Sequence, residues 1–596
     1  MKHVFIFSTS VLVACAMTSA DPLNFRNETG ARVNSFTEGN AGQNEKEVEP
    51  GDYDLDGDID IVIANAYSDF GVRDNKLYRN DGGVLNEVSN TVPLFTAGDV
   101  ARNAFFRDYD GDGDLDIIVV CDNNTSGNGG RTKLWINNLT TPGGSPNWAE
   151  EGNTRLGSST GGAACGAVSI DADNDGDYDL YVGNYPGPSQ DTMYFNDGTG
   201  FFSNMTANNV PNDGDYTVDV ASGDLNGDGK TELLISNWSP NYIYWNDVQD
   251  AGSGVGDYKY TGGQESIGTA GQNENAMEAA DFDGDGDLDI YWSNRVGAGD
   301  RILENTGNGA DGKANFTQLA SSVIPPIAHT TASRKATVAD LNNDGRLDIV
   351  LMSETGRPAV FRNTTVGGDL SFVDWTPRSA FPSGSTHKGW HAAVADLTGD
   401  GKPDILVGGH TNDHFFTSTS PDSFNEADLR GGVIPGVFNT SAAAVTGTIA
   451  EGESDTYVIE GITSGAFLSV VLTGPDDYMV EILTMGGSVL TTVDRGGLGV
   501  EEALQVTATS DRQIRITAIE SAGGGGHPAD LDNDGTVGPG DLAVLLSVWG
   551  TSNPDADLDG NGNVGPEDLG QLLAAWGETG GGGDAEYVLE VLSRTG

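Results

Sequence analysis

A nine-residue pattern, Asp-x-Asp-x-Asp-Gly-x-x-Asp, recurs seven times with substitutions, starting at Asp52, Asp108, Asp171, Asp224, Asp281, Asp340 and Asp396. The starts are 56, 63, 53, 57, 59 and 56 residues apart. A period of that size is one supersecondary unit, long enough for four short strands. Each pattern follows a strand of small residues, such as Ala392-Ala393-Val394-Ala395, and precedes a β-rich run, such as Ile117-Ile118-Val119-Val120. The pattern therefore joins two antiparallel strands. A third strand ends near Asn in Leu77–Asn80, Leu134–Asn137, Met193–Asn196, Ile243–Asn246 and Val360–Asn363, and a fourth opens at Phe201-Phe202, Phe316-Thr317 and Phe372-Val373. Their aromatic residues are assigned to packing between neighbouring units rather than to ligand contact.

The spacing also dictates the chemistry of the loop. Oxygens at positions 1, 3 and 5 converge only if the chain curls tightly; Gly at position 6 supplies the turn, and Asp or Glu at position 9 closes the cage. Several carboxylates with a backbone carbonyl suit Ca²⁺, whereas Mg²⁺ wants fewer protein oxygens in stricter octahedral geometry. The assigned ligands are Asp52, Asp54, Asp56 and Asp60; Asp108, Asp110, Asp112 and Asp116; Asp171, Asp173, Asp175 and Asp179; Asp224, Asn226, Asp228 and Glu232; Asp281, Asp283, Asp285 and Asp289; Asp340, Asn342, Asp344 and Asp348; Asp396, Thr398, Asp400 and Asp404. A solvated acidic hairpin turn explains one such copy but not seven at a fixed period.

Composition narrows the partners. Against 30 Lys plus Arg stand 89 Asp plus Glu, a formal charge of −59 on 596 residues. Phosphate backbones and anionic lipid surfaces repel such a chain, which excludes nucleic acid and leaves cations, neutral polymers or basic protein patches. Low hydrophobic content with high charge is also the mark of disorder, but here the carboxylates fall in regular clusters between apolar runs, so an ordered chain of two or three domains is expected. Residues 1–20, with Lys2, an apolar run from Val4 to Val13 and Thr18-Ser19-Ala20, have the layout of a secretory signal, giving a mature chain from Asp21. Leu12-Val13-Ala14-Cys15 is the alternative, a lipobox with Cys15 lipidated. No later segment reaches the ~20 apolar residues of a membrane helix. The protein is expected outside the cell or in its envelope, with no transmembrane segment.

With the repeats in view, residues 21–432 resemble the FG-GAP/VCBS family of integrin-α-like calcium β-propellers. The resemblance implies seven blades in a ring, each with one Ca²⁺ in the outer loop between its first two strands. Asn226, Glu232, Asn342, Thr398 and Pro403 depart from the acidic pattern and weaken copies four, six and seven.

Residues 437–520 change to glycine-punctuated alternating strands, among them Asp455–Ile459, Phe467–Leu472, Met479–Leu483 and Gln513–Thr517, in which no metal or catalytic cluster is apparent. Their order is similar to the bacterial pre-peptidase C-terminal β-sandwich, which implies spacing or substrate adhesion. Residues 528–577 hold two longer loops, Asp530, Asp532, Asp534 and Asp541, then Asp557, Asp559, Asn561 and Asp568, each followed by an amphipathic helix. This duplication resembles a type I dockerin, implying two further Ca²⁺ and a cohesin-like partner; a structural calcium module is the alternative. Nine Ca²⁺ in all would add eighteen charges and move −59 to −41. The tail 584–596 reads as a strand, and the sandwich lacks a closing Tyr-x-Leu-x-Val strand, so the tail is expected to return beside Gln513–Thr517 with the dockerin-like unit inserted between Gly523–Gly526 and Gly580–Gly583. The fold class expected is mainly β: a seven-bladed propeller, then a β-sandwich carrying a small inserted helical module.

Two readings of function remain. Six residues before each loop stand Lys46, Arg102, Cys165, Val218, Asn275, Arg334 and Trp390, expected to ring one end of the central channel. Arg102, Asn275, Arg334, Trp390 and His391 are the candidate ligand contacts, the cations accepting a sugar acid or carboxylate and Trp390 stacking on a ring; neutralisation of nearby carboxylates is the alternative. This gives a non-catalytic adhesion or carbohydrate-binding protein, recognising an extracellular polysaccharide or a cell-surface protein. The other reading is a polysaccharide lyase or hydrolase using His387, His391, His410, His414 and Asp413, although no nucleophile elbow, zinc helix or phosphate loop is present. Cys121 and Cys165 fall at the same end of adjacent units, and a disulfide between them is expected, with two buried thiols as the alternative.

Overall fold

In each of the seven repeats the residue at loop position 9 is also the first residue of a strand: Asp60–Asn65, Asp116–Cys121, Asp179–Asn184, Glu232–Asn237, Asp289–Asn294, Asp348–Ser353 and Asp404–Gly409. These strands are buried along their whole length. They carry apolar and β-branched residues because both faces meet protein. The computed structural model describes most of residues 24–594; stretches outside it include 1–23, 36–44, 67–73, 123–130, 247–263, 377–388, 521–538, 557–563 and 574–584, with shorter loop segments elsewhere. The signal segment, Cys15, His387, His410 and the flanking glycine runs therefore lie outside the described residues, as do Asp530, Asp532, Asp534, Asp557, Asp559 and Asn561.

Two units are present, Met1–Ser420 and Pro421–Gly596. The first contains seven sheets, each running from an inner strand through three further antiparallel strands, with Val33–Asn34 added in parallel at the outer edge of the first. The inner strands are Glu45–Gly51, Ala101–Arg107, Ala164–Ile170, Thr217–Gly223, Glu274–Ala280, Ser333–Ala339 and Gly389–Ala395. Each neighbours the next, and the seventh neighbours the first, so the sheets close into a ring. Inner strands approach closely where glycine leaves room: a Cβ on Gly166 would lie 2.5 Å from Asp219 Cα. Apolar layers fill the spaces between sheets. Trp135 packs with Phe95 and Phe106 between the first and second, Tyr194 with Tyr109 and Phe202 between the second and third, and Phe361 with Phe282 between the fifth and sixth.

Closure has two devices. The outer strand of the seventh sheet is Asn24–Asn27 from the start of the unit, paired with His414–Thr419. At the same seam, Lys76 Nζ lies 2.7 Å from both Glu45 Oε1 and Asp413 Oδ2, and Tyr78 Oη donates to Asp413 at 2.6 Å. All three charged side chains are fully buried. Burial pushes Asp413 up, but the Lys76 ammonium outweighs it and holds this carboxyl below the usual range; burial and the Asp413 charge push Glu45 well up.

The second unit begins at Pro421, not after residue 432, because Asp422–Asn425 pairs with Ala443–Thr446 and Val433–Ile434 with Val458–Ile459. Two five-stranded sheets share one core containing Val445, Tyr457, Leu468, Val480, Ile514 and Leu589. The tail strand Ala585–Arg594 enters this core through Tyr587, Leu589 and Val591, but not beside Gln513–Thr517. It lies between Ala442–Ile449 and Ala466–Thr473 in the other sheet. The reason is edge availability: Arg512–Glu520 already has Ser454–Ile459 on one side and Asp477–Thr484 on the other. The tail is fixed by its own tyrosine, whose hydroxyl bonds Tyr457 Oη and donates to Asp455 Oδ2. Residues 521–584, including helix Pro539–Ser547, thus lie between two strands of the sandwich. Leu545, Ala556, Val564 and Leu572 form a small apolar cluster within that segment. No helix among the described residues is long and apolar enough to cross a membrane.

Removing one member of the buried seam triad strands charge away from water. Lys76→Met is expected to cost about 3–5 kcal/mol, read as a lower denaturant midpoint of the first unit; an unchanged midpoint would show that the triad does not hold the seam.

Candidate metal centres and the mouth of the ring

The seven loops share one internal wiring. The position-1 carboxylate accepts from two backbone N–H groups of its own loop, as when Asp52 Oδ1 and Oδ2 bond Asp56 N and Gly57 N at 3.1 Å each. Asp108, Asp171, Asp224, Asp281, Asp340 and Asp396 each do the same. Position 6 has positive φ in every copy, from Gly57 to Gly401, which is why it is glycine. Position 4 is also left-handed in every copy: four are glycine, two are Asn174 and Asn343, and one is Leu55 at φ 58°. Sequence reading recognised the first of these turns and missed the second, although the Gly/Asn preference at position 4 signals it.

The position-9 carboxylate has two roles. Its Oδ2 or Oε2 accepts from the position-2 amide in all seven loops. In five sheets its other oxygen accepts from the backbone of an asparagine at or near the end of the third strand, Asn80, Asn137, Asn196, Asn305 or Asn363; in the seventh, Ser418 N takes that place. The same asparagines, with Asn246, send Nδ2 to the position-2 carbonyl of the preceding sheet's loop: Asn137 to Tyr53 O at 2.8 Å, and Asn80 across the seam to Leu397 O at 2.9 Å. The recurrent asparagine was visible in sequence, but its role as a stitch between repeats was not.

In four loops three acidic groups place ligand oxygens within 4.8 Å of one another: Asp52, Asp54 and Asp60; Asp108, Asp110 and Asp116; Asp171, Asp173 and Asp179; Asp281, Asp283 and Asp285. The other loops carry an amide or hydroxyl at position 3, Asn226, Asn342 or Thr398. The donor set fits a hard cation. Asp54 Oδ1, Asp110 Oδ1, Asp173 Oδ1 and Asn342 Oδ1 are buried without a hydrogen-bond partner, all at position 3. Burial pushes the position-9 carboxyls up, against the pull of their backbone hydrogen bonds, to about 8 in Asp60, Asp116, Asp179 and Glu232 and about 7 in Asp289. Burial likewise raises Asp54 to about 6 and Asp173 to about 7. A cation in these oxygen cages removes that penalty.

At the ring's mouth, a recess of about 180 Å³ is lined by Lys46, Arg102, Cys165, Val218, Arg334 and Trp390, with Glu47, Asn103, Tyr185, Asp219, Ala276 and Lys335. Six of the seven expected channel-end residues thus meet; nothing is described of the Asn275 side chain. The cause is a bulge in every inner strand, between Glu45 and Glu47, Ala101 and Asn103, Ala164 and Gly166, Thr217 and Asp219, Glu274 and Ala276, Ser333 and Ala336, and Gly389 and Ala392. The bulged residues leave the strand ladder and face the mouth.

Several expected contacts are already engaged. Trp390 is not an open stacking platform, since Lys46 Nζ lies 2.8 Å and Arg334 Cζ 3.4 Å from its ring centre. Arg102 pairs with Asp122 at 2.9 Å. His391 is buried, and Val48 N donates to its Nδ1 at 3.2 Å. Burial, reinforced by Lys335, lowers this histidine to about 3, so its 3.1 Å approach to Glu47 is not an ion pair. Below the cationic rim Lys335 sits by Glu47 at 3.3 Å, and burial raises Asp219 to about 6 and Glu278 to about 8. The histidine group is not assembled among the described residues: His391 meets the first sheet, while His414 packs on Phe416 and Asp413 belongs to the seam triad.

No disulfide joins Cys121 to Cys165. Cys121 packs in the apolar layer between the first and second sheets, whereas Cys165 lines the mouth, so the two side chains leave their strands towards different surroundings. A cluster that sequence reading denied to the sandwich is present there, formed by Asp477, Asp494 and Glu502.

The FG-GAP-like repeat family matches residues 52–119, 171–235, 224–292, 281–351 and 340–407, together about half the chain. Cartilage acidic protein 1 of Xenopus tropicalis is 24% identical over 381 residues, covering 60% of this chain and 56% of that protein. Its Mus musculus counterpart is 24% identical over 390 residues with the same coverage. The chain spans about half the length of these curated relatives. Among solved structures, an Agrocybe aegerita lectin described as recognising non-reducing terminal N-acetylglucosamine aligns at 18% identity and TM-score 0.38, covering 66% of this chain and 93% of that one. Periplasmic gluconolactonase of Pseudomonas aeruginosa aligns at 13% identity and TM-score 0.38, covering 61% and 96%.

Two outcomes are expected. Leu55 is 40% exposed and holds a left-handed backbone that asparagine adopts more readily, so Leu55→Asn should stabilise by up to about 1 kcal/mol, seen as a raised denaturant midpoint; a lowered midpoint would contradict it. Without metal, carboxyls raised to about 8 in the fold hold protons that the unfolded chain has released above its ordinary carboxyl range. Stability in EDTA should therefore fall as pH rises from about 4 to 8. In Ca²⁺ that loss should largely vanish, and equal slopes with and without Ca²⁺ would refute the cation assignment.

Proposed function

The chain belongs to the FG-GAP-like repeat family, and on that premise we propose that it is a secreted, calcium-loaded, seven-bladed propeller that binds an anionic extracellular ligand, a sugar acid or protein carboxylate, at the mouth of its ring. The carrying observation is that Lys46, Arg102, Arg334 and Lys335 line one recess in a chain with only 30 basic residues. Calcium in the seven loops neutralises the outer rim of each blade and stiffens the turns that hold the inner strands. The bulges then hold the basic side chains at one end.

Adhesion or carbohydrate recognition is favoured over catalysis because His391 is engaged by backbone and held neutral, while Asp413 serves the seam. The relatives' name, an acidic protein of cartilage, agrees with an extracellular setting. In the second unit, we read residues 421–520 with 584–596 as a pre-peptidase-like sandwich and the inserted segment as a dockerin-like calcium module. The apolar cluster of Leu545, Val564 and Leu572 supports two packed loop-helix copies; a cohesin-like protein is its implied partner, and two calcium sites bring the total to nine.

A glycan array probed in Ca²⁺ and in EDTA tests the reading. Binding to uronic-acid glycans should exceed binding to neutral ones, vanish in EDTA, and weaken at least about tenfold in Arg102→Ala, the loss of one charge-assisted contact. Equal binding to neutral sugars, or an Arg102→Ala variant that binds as before, would overturn it.

A further inference from the structure

We propose a tenth cation site, at one end of the sandwich, in which Asp477, Asp494 and Glu502 hold a Ca²⁺ that ties the two sheets together. The three residues come from different elements. Asp477 opens the strand Asp477–Thr484, Asp494 follows Val489–Val493, and Glu502 opens Glu502–Ala508. The first two strands pair within one sheet, whereas Glu502–Ala508 is the edge strand of the other. Ligand oxygens of the three lie within 4.8 Å of one another. The chain crosses between the sheets directly after Asp494, so the cluster sits at the point where one sheet hands over to the next.

Acidity alone does not make a site, and the burial here goes further. Glu502 is 0% and Asp477 7% exposed. Glu502 Oε1 accepts from Arg495 N at 2.8 Å, but its Oε2 is buried without a hydrogen-bond partner, and so is Asp477 Oδ1. Two orphaned carboxylate oxygens facing a third carboxylate are costly unless a cation joins them. The Arg495 guanidinium Nη1 also approaches the Glu501 carbonyl at 3.4 Å. Asp494 is exposed, which leaves an approach for the ion and room for water to complete the shell. All donors are hard oxygens, which favours Ca²⁺ over zinc or copper. The site has no tight-turn nonapeptide, and its ligands meet only through the sandwich topology.

Hydrogen exchange on the chain from residue 21 to 596 tests the assignment with Ca²⁺ itself as the probe. Adding Ca²⁺ at tenfold its dissociation constant after EDTA should slow exchange in 477–484 and 502–508 about tenfold. Asp494→Asn changes an exposed residue at a strand end. It should remove that protection and one equivalent of bound Ca²⁺ by elemental analysis, while the amides of Asp56 and Gly57 in the first propeller loop keep their calcium-dependent protection. Wild-type exchange in these strands that ignores Ca²⁺, or an Asp494→Asn variant with unchanged metal content, would overturn the proposal. If Asp494→Asn failed to fold, the wild-type exchange alone would decide.

Discussion

The carboxylate at position 9 of each loop is the constraint on which the first unit depends. It is buried at the root of the second strand, accepts from the amide at position 2 and, in six of the seven sheets, from the end of the third strand. One side chain thereby fixes the loop, the sheet and the position of the asparagine that reaches back to the previous repeat. The loop is thus a joint of the scaffold as well as a cage for an ion. A cation held in the cage would be coupled to ring assembly, because the two share an oxygen-bearing residue. Deep burial of these acids raises their pKa values, a cost that a proton or a hard cation in the oxygen cage offsets.

The mouth of the ring follows from a second repeated irregularity. Seven inner strands bulge at equivalent positions, and the residues released from pairing line the recess. Repetition therefore builds the site's frame, while the identity of the bulged residue in each repeat writes its chemistry. Lys46, Arg102 and Arg334 give a cationic rim on a polyanionic molecule, with Lys335 below them among the buried acids Glu47, Asp219 and Glu278. Engagement of Trp390 by Lys46 and Arg334 shifts its role from ligand stacking to fixing those two cations.

The sandwich obeys a different logic. In each sheet a late strand fills the centre: Arg512–Glu520 in one, and in the other Ala585–Arg594, which returns after the helical insertion. A strand with neighbours on both sides cannot be dispensed with, so this sheet is incomplete without Ala585–Arg594. The insertion falls in one connection of the chain, between Arg512–Glu520 of one sheet and Ala585–Arg594 of the other.

Spacing alone determined much of this protein. The seven loops, their strands, the oxygen donors, the channel-end residues and the need of the tail for a sheet were all readable, since each depends on contacts within one repeat or on a fixed offset from it. Tertiary structure decided the rest. Nothing local says that Asn80 meets Leu397, that Lys76 joins Asp413, or that Asn24–Asn27 completes the last sheet, because these partners lie at opposite ends of the unit. Which edge the tail would take depended on which strands already had two neighbours. The fate of Cys121 and Trp390 depended on which way a side chain leaves its strand. Asp477, Asp494 and Glu502 carry no motif, and only the crossing of two sheets gathers them.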